Sequence, residues 1–65
     1  MRAGRFHVLL VADGRPAQHG WWESEVTARA KHREWIGDWG KPGARVLLVD
    51  EETGVVLEEW PPAGP

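Results

Sequence analysis

Hydrophobic and polar positions divide the chain into two strand pairs separated by one helical segment. Residues 6–12 and 44–50 are rich in aliphatic and β-branched side chains, and each run ends at a turn signal, Asp13-Gly14 or Asp50 to Gly54. An Asp-Gly pair between two apolar runs favours a tight β-hairpin, because both residues tolerate positive φ angles. The pattern therefore predicts two hairpins, with strands at 6–12, 15–22, 44–50 and 55–60.

The middle segment has the spacing of an amphipathic helix. Ser24 is a good N-cap and Glu25 places a carboxylate in the first turn, so a helix is predicted from Glu25 to Trp39. Gly40 is expected in a left-handed conformation that ends the helix, and Pro42 prevents its continuation. At 100° per residue, one face collects the apolar positions and one histidine, namely Ala28, His32, Trp35, Ile36 and Trp39.

These elements predict an α+β fold of the form ββαββ, with a four-stranded antiparallel sheet and the helix on one face. Pro16 cannot donate a hydrogen bond to a neighbouring strand, so the second strand should lie at an edge. The most apolar strands should be central, which gives the order 2-1-3-4. Residues 1–60 are predicted to form one domain, and the Pro-rich segment 61–65 is predicted to be disordered.

The turns also predict which side chains share a face of the sheet. A two-residue turn at Asp13-Gly14 would place Val8 opposite His19 and Phe6 opposite Trp21. The helix would then cover Phe6, Val8, Leu10, Trp21, Val46, Leu48, Val55 and Leu57. The second face would also be apolar, through Leu9, Val11, Trp22, Leu47, Val49, Val56 and Trp60.

A second apolar face is unexpected, because antiparallel sheets with one solvated face normally alternate apolar and polar residues. One interpretation is an interaction surface, most simply of a two-fold homodimer, or one for a different protein. The other is that the sheet twists and the tryptophans fold over the patch. The sequence thus favours a small non-enzymatic interaction module, such as a regulator or adaptor.

Composition and charge indicate the cellular compartment and the kinds of partner to expect. The chain of 65 residues contains no cysteine, so disulfides and thiolate metal sites are excluded. A domain this small has a small core, so we expect burial against a partner to add to its stability. The apolar run at 6–12 is too short for a signal peptide or a membrane span, which predicts a cytoplasmic protein without membrane contact. A net charge of −2 gives no global attraction to nucleic acid.

The polar side chains match no catalytic or metal-binding motif. His19 and His32 are expected on the helix-covered side, where they could approach each other, but His7, His19 and His32 have no metal-ligand spacing. Ser24 and Thr53 are explained by a cap and a turn. We therefore expect no catalytic residue, no metal and no cofactor, and structural roles for the histidines.

Nucleic-acid binding is the alternative function that the sequence leaves open. Four basic residues lie on or just after the helix, with Trp22, Trp35 and Trp39 nearby for stacking on bases; they are Arg29, Lys31, Arg33 and Lys41. Acidic residues interleave with them along the helix, and mixed charge of this kind is usually only solvated. Nucleic-acid binding is therefore the weaker of the two predicted functions.

The second hairpin carries one recognisable short pattern. Residues 50–54 read D-x-x-T-G, and a hairpin of this type after a single helix resembles those of several short bacterial domains. Because D-x-x-T-G is a turn signal common to unrelated folds, the resemblance implies no function.

Overall fold

Residues 4–62 are described by a computed structural model, and they form the predicted ββαββ arrangement. The sheet is antiparallel with the order β2-β1-β3-β4, as expected. Within these residues, no helix combines the length and apolar composition that a membrane span requires. Residues 63–65 of the predicted disordered tail lie outside the described part of the chain. The elements are β1 (Phe6–Ala12), β2 (Arg15–Trp22), α1 (Glu25–Trp39), β3 (Ala44–Asp50) and β4 (Val55–Trp60).

Local turn chemistry explains most of the element boundaries. Asp13 and Gly14 have φ angles of 52° and 78°, as a tight hairpin turn with two left-handed residues requires. The Ser24 hydroxyl accepts a hydrogen bond from the Thr27 amide at 3.3 Å, which confirms the N-cap. The expectation for Gly40 is wrong, because its φ is −72°. Glycine is required there by close approach, since a Cβ would collide with the Ile36 carbonyl oxygen.

The core lies between α1 and one face of the sheet. It is built from alternate residues of the two central strands and from one side of the helix, where Trp35 is only 6% exposed. Trp35 contacts Trp22 and Trp39 edge-to-face, with ring centroids 6.1 and 5.9 Å apart. The buried apolar residues are Phe6, Val8, Leu10, Ala28, Trp35, Ala44, Val46 and Leu48.

Two β-bulges change the predicted register of both edge strands. Leu10 pairs with Gln18 but Val11 pairs with Pro16, so β2 contains one extra residue at Ala17. Pro16 has no N–H for the ladder, and a bulge at this position accommodates it. In β4 the extra residue is Leu57, between the pairs Leu48–Glu58 and Val49–Val56.

The bulges correct the faces assigned to four edge-strand side chains, because a shift of one residue moves every side chain beyond it to the opposite face. Trp22 pairs with Phe6 and Trp60 with Val46, so both lie on the helix side, packed against the core. Their predicted place on the second face is wrong. Trp21 and His19 move the other way, to the face opposite the helix.

The two adjacent tryptophans of β2 provide a direct test of this register. The Trp22 ring lies over Gly20, where a Cβ would collide with it, and contacts the buried Trp35, whereas Trp21 is 40% exposed. We expect Trp22→Ala to lower the free energy of unfolding by about 2–3 kcal/mol and Trp21→Ala by about 1 kcal/mol or less. Urea unfolding at low protein concentration measures both. Equal losses would contradict the bulged register.

A partly buried ion pair connects the chain preceding β1 to the β3–β4 turn. Arg5 donates two hydrogen bonds to the Asp50 carboxylate, at 2.9 and 2.8 Å, and the Glu52 amide donates a third at 3.0 Å. The Asp50 backbone carbonyl accepts from the amides of Thr53 and Gly54, and Gly54 adopts the predicted left-handed conformation with φ 77°. Chiefly because of the Arg5 hydrogen bonds, the pKa of Asp50 is lowered from 3.8 to about 2.

This lowered pKa predicts a specific acid dependence of stability. The folded-state pKa of Asp50 lies below its ordinary value, so its contribution is complete above about pH 4 and is lost as the pH falls towards 2. We expect Asp50→Asn to be less stable than wild type at pH 7, with the difference narrowing between pH 4 and 2. Urea unfolding across that range measures it, with Asp38→Asn on the helix as control. A difference independent of pH would contradict the assigned role.

Candidate interaction face

The face of the sheet opposite α1 is referred to as the open face. Its side chains alternate with those of the core along β1 and β3, and the bulges determine which edge-strand residues join them. The open face comprises His7, Leu9, Val11, Pro16, His19, Trp21, Arg45, Leu47, Val49, Val56 and Glu59.

The centre of the open face is aliphatic. Leu9 lies opposite Leu47 on the two central strands, and Val11 and Val49 extend the row in the two directions. All four are only half-buried, although their neighbours along the same strands are buried beneath the helix. Val56 joins the row from β4 opposite Val49 and is 51% exposed. These five predicted interface residues therefore share one surface.

Charges on the open face near β4 are paired within the chain. Arg45 donates a hydrogen bond to the Glu59 carboxylate from the neighbouring strand. Leu47 lies directly opposite Glu59, so this ion pair borders the aliphatic row. An exposed pair contributes little to stability, but it leaves this end of the open face without net charge.

Aromatic rings form the opposite border, near β2. His7 lies opposite Trp21, and the two rings stack with centroids 4.5 Å apart and an interplanar angle of 11°. His19 stacks on Trp21 at 5.5 Å, and its Nδ1 lies 2.9 Å from Nε2 of His7. On the far side of His7, its Nδ1 lies 3.5 Å from a carboxylate oxygen of Glu51. We refer to His7, His19, Trp21 and Glu51 as the histidine cluster.

The environment of His7 favours its neutral form. Burial is the largest cause that lowers its pKa below 6.5, and the nearby His19 acts in the same direction. Glu51 opposes both by stabilising the protonated ring, but the net direction is downwards. At neutral pH, His7 is therefore an uncharged imidazole with one N–H and one nitrogen that carries a lone pair.

His32 has a different role and lies on the other side of the sheet. Its Nε2 donates a hydrogen bond to the backbone carbonyl of Val46 at 2.9 Å, inside the core. The expected approach of His19 to His32 is wrong, because the β2 bulge puts His19 on the open face. Within residues 4–62, every buried side-chain nitrogen and oxygen has a hydrogen-bond partner. His32 is thereby explained as a structural residue.

Two of the four basic residues proposed for nucleic-acid binding are engaged with acidic neighbours. Arg29 donates to Glu25 and to Glu58, both at 2.8 Å. Lys31 lies 3.5 Å from a carboxylate oxygen of Glu34. Arg33 is exposed on the helix, and Lys41 follows its end.

The tryptophans expected beside these basic residues are differently placed. Trp35 is buried, Trp22 packs against the core, and Trp39 is partly exposed. Only Trp39 could offer part of its ring to a base, which weakens the stacking argument. Nucleic-acid binding through this surface stays a prediction.

Cavities and metal-ligand groups complete the description of the surface. An open cavity of about 400 Å³ lies beside the helix end, lined by Trp60, Pro61 and the segment 40–44, with Lys41 as its one charged residue. Among the described residues, no group of three or more His, Cys, Asp or Glu side chains is arranged to hold a metal ion.

Comparisons with family models, with curated proteins and with solved structures gave no match. The function of the protein is therefore inferred from its own residues. Sequence reasoning found the aliphatic row but missed the histidine cluster. Pro16 was the available signal, because a bulge at that residue would have put His19 on the same face as His7.

Proposed function

We propose that this protein is a small non-enzymatic interaction module, a regulator or adaptor, that self-associates through the open face. The observation that carries the proposal is the aliphatic row formed by Leu9, Val11, Leu47 and Val49 on the side of the sheet away from the helix. Polar side chains normally occupy these positions when a sheet faces water.

Energetics support a partner at this surface. Full burial of a leucine or valine side chain contributes about 1.5–3 kcal/mol, and the row is already half-buried within one chain. A domain of this size has a free energy of unfolding of roughly 3–10 kcal/mol. Covering the row would therefore add stability that is large on the scale of the fold.

Charge balance favours a second copy of this chain as the partner. In a two-fold dimer the same surface meets itself, so a face with net charge would repel its copy. Arg45 and Glu59 neutralise each other beside the aliphatic row, and His7 is uncharged at neutral pH. A face with unbalanced charge would instead favour a different protein as the partner. The centre of the open face carries no such charge.

The area of the open face indicates how strong self-association should be. Four strands spaced about 4.8 Å apart and seven residues long present a projected area of roughly 19 by 23 Å. With side-chain relief, such a face is at the lower end of specific interfaces, which average about 800 Å² per partner. We therefore expect a reversible dimer with a micromolar Kd, which corresponds to about −8 kcal/mol.

Amide and methyl NMR spectra recorded over a dilution series test where association occurs. We expect concentration-dependent shifts at Leu9, Leu47 and Val49, and constant shifts at exposed helix residues such as Val26. Shifts confined to the helix, or to the cavity beside Trp60, would place any association elsewhere and contradict the proposal.

A further inference from the structure

The histidine cluster has two imidazole nitrogens close enough to bind one ion together. Nε2 of His7 and Nδ1 of His19 are 2.9 Å apart, and the residues belong to neighbouring strands. The His7 side chain is largely buried and the His19 residue is exposed. One ring is therefore held in place and the other has room to turn.

The tautomers of the two rings determine which of the facing nitrogens carries a proton and which carries a lone pair. A carboxylate can only accept, so Glu51 favours the proton on Nδ1 of His7 and leaves Nε2 with a lone pair. The short contact to His19 then requires the proton of His19 on Nδ1. If that proton moves to the other nitrogen of His19, both facing nitrogens become lone-pair donors and both rings stay neutral.

The remaining contacts resemble the surroundings of a metal-binding histidine. Ligating histidines commonly direct their second ring nitrogen at a carboxylate, which fixes the tautomer and ring orientation. Glu51 has this relation to His7, at 3.5 Å from its Nδ1. Trp21 stacks closely on the His7 ring at 4.5 Å and restrains its plane, and it lies farther from the His19 ring, at 5.5 Å.

The ligand type indicates which metals are favoured. Imidazole nitrogen suits zinc, copper and nickel, and the affinity of a nitrogen site for divalent metals rises through nickel(II) to a maximum at copper(II). The 2.9 Å between the two nitrogens is the length of an N–H···N hydrogen bond, and a rotation of His19 converts that contact into a shared ion. Copper(II) and nickel(II) are therefore the expected metals.

We infer that His7 and His19 form a two-ligand site for copper(II) or nickel(II), with Glu51 orienting His7 and water completing the coordination. His19 turns so that its lone pair converges with that of His7 on the ion. Because the protein supplies two ligands, fewer than in a structural metal centre, binding is reversible and exchangeable. Both ligands belong to one chain, so the site does not depend on self-association.

Trp21 provides the readout, since it is stacked on both ligands and copper(II) and nickel(II) quench nearby indole fluorescence. Wild-type protein is titrated with CuCl₂ and NiCl₂ in a non-coordinating buffer. We expect saturable partial quenching that is absent in Trp21→Phe, together with selective NMR broadening of His7 and His19 by copper(II), which is paramagnetic. The buried His32 ring serves as the internal reference.

Three variants determine whether the ligands are those assigned. His7→Gln and His19→Gln should each abolish saturable quenching, and Glu51→Gln should weaken binding by about 10-fold. Glu34→Gln, on the helix, should bind as wild type does. Unchanged quenching in folded His19→Gln, which is exposed in β2, would overturn the inference, as would equal broadening of all three histidines.

Testing the Leu47→Glu chain separates this site from the proposed dimer. We expect the monomeric variant to bind copper(II) at least as tightly as wild type, because both ligands belong to one chain and the open face that carries them is uncovered in the monomer. Loss of metal binding in that variant, with His7 and His19 intact and the chain folded, would contradict a site contained in one chain.

Discussion

Replacing Leu47 with glutamate is expected to convert the proposed dimer into a folded monomer. Leu47 is at the middle of the aliphatic row, opposite Leu9, and is half-buried within its own chain. Glutamate there can reach solvent in a monomer but would be desolvated without a partner in the dimer. In a two-fold interface the change occurs twice, so we expect self-association to weaken by at least about 100-fold.

A matched substitution on the helix controls for the added charge. Val26 is 81% exposed on α1, so Val26→Glu adds the same charge far from the open face and should leave the proposed dimer intact. Sedimentation equilibrium gives the mass of both variants, and far-UV circular dichroism confirms that both are folded. Equal masses for Leu47→Glu, Val26→Glu and wild type would show that the open face is not the interface.

Removal of the Trp35 side chain is expected to remove a large part of the stability of the fold. Trp35 is 6% exposed and contacts Trp22 on one side and Trp39 on the other. Truncation of a buried tryptophan to alanine costs about 3–5 kcal/mol, because it removes apolar contact and leaves a cavity. That loss is a large part of the roughly 3–10 kcal/mol available to a domain of this length.

The neighbouring tryptophan on the same helix is the matched control. Trp39 makes an edge-to-face contact with Trp35 but is 39% exposed, so Trp39→Ala should cost about 1–2 kcal/mol. Thermal unfolding followed at 222 nm compares the two variants at equal concentration. A Trp35→Ala chain as stable as Trp39→Ala would mean that the core is not centred on Trp35.

The element order was predictable because local signals agree with one another. Asp13-Gly14 fixes the first hairpin and Ser24 begins the helix, and both act within a few residues. Pro16 correctly identified β2 as an edge strand. The helix face that carries Ala28, His32 and Trp35 followed from the 3.6-residue period alone.

The faces of the edge strands were not predictable from turn chemistry. A turn sets the register only as far as the first bulge, and one extra residue at Ala17 or Leu57 reverses the strand beyond it. In β4 the bulge lets Glu58 reach Arg29 on the helix, a contact 29 residues distant in sequence. Such contacts form only in the folded chain, so local pattern reasoning did not find them.

The residues of the candidate site were predictable on the central strands and were not predictable beyond the bulges of the edge strands. Leu9, Val11, Leu47 and Val49 were found because β1 and β3 pair without irregularity along their whole length. Trp22 and Trp60 were misplaced because they lie beyond the bulges. The histidine cluster was missed for the same reason, since His19 reaches His7 only in the bulged register.

Absolute mass in solution, measured by light scattering after size exclusion over a range of concentrations, tests the central claim most directly. If the open face is covered by a second copy, the wild-type mass should rise from one to two chains as concentration increases through the micromolar range. A mass of one chain at every concentration, including the millimolar range, would contradict self-association through the open face.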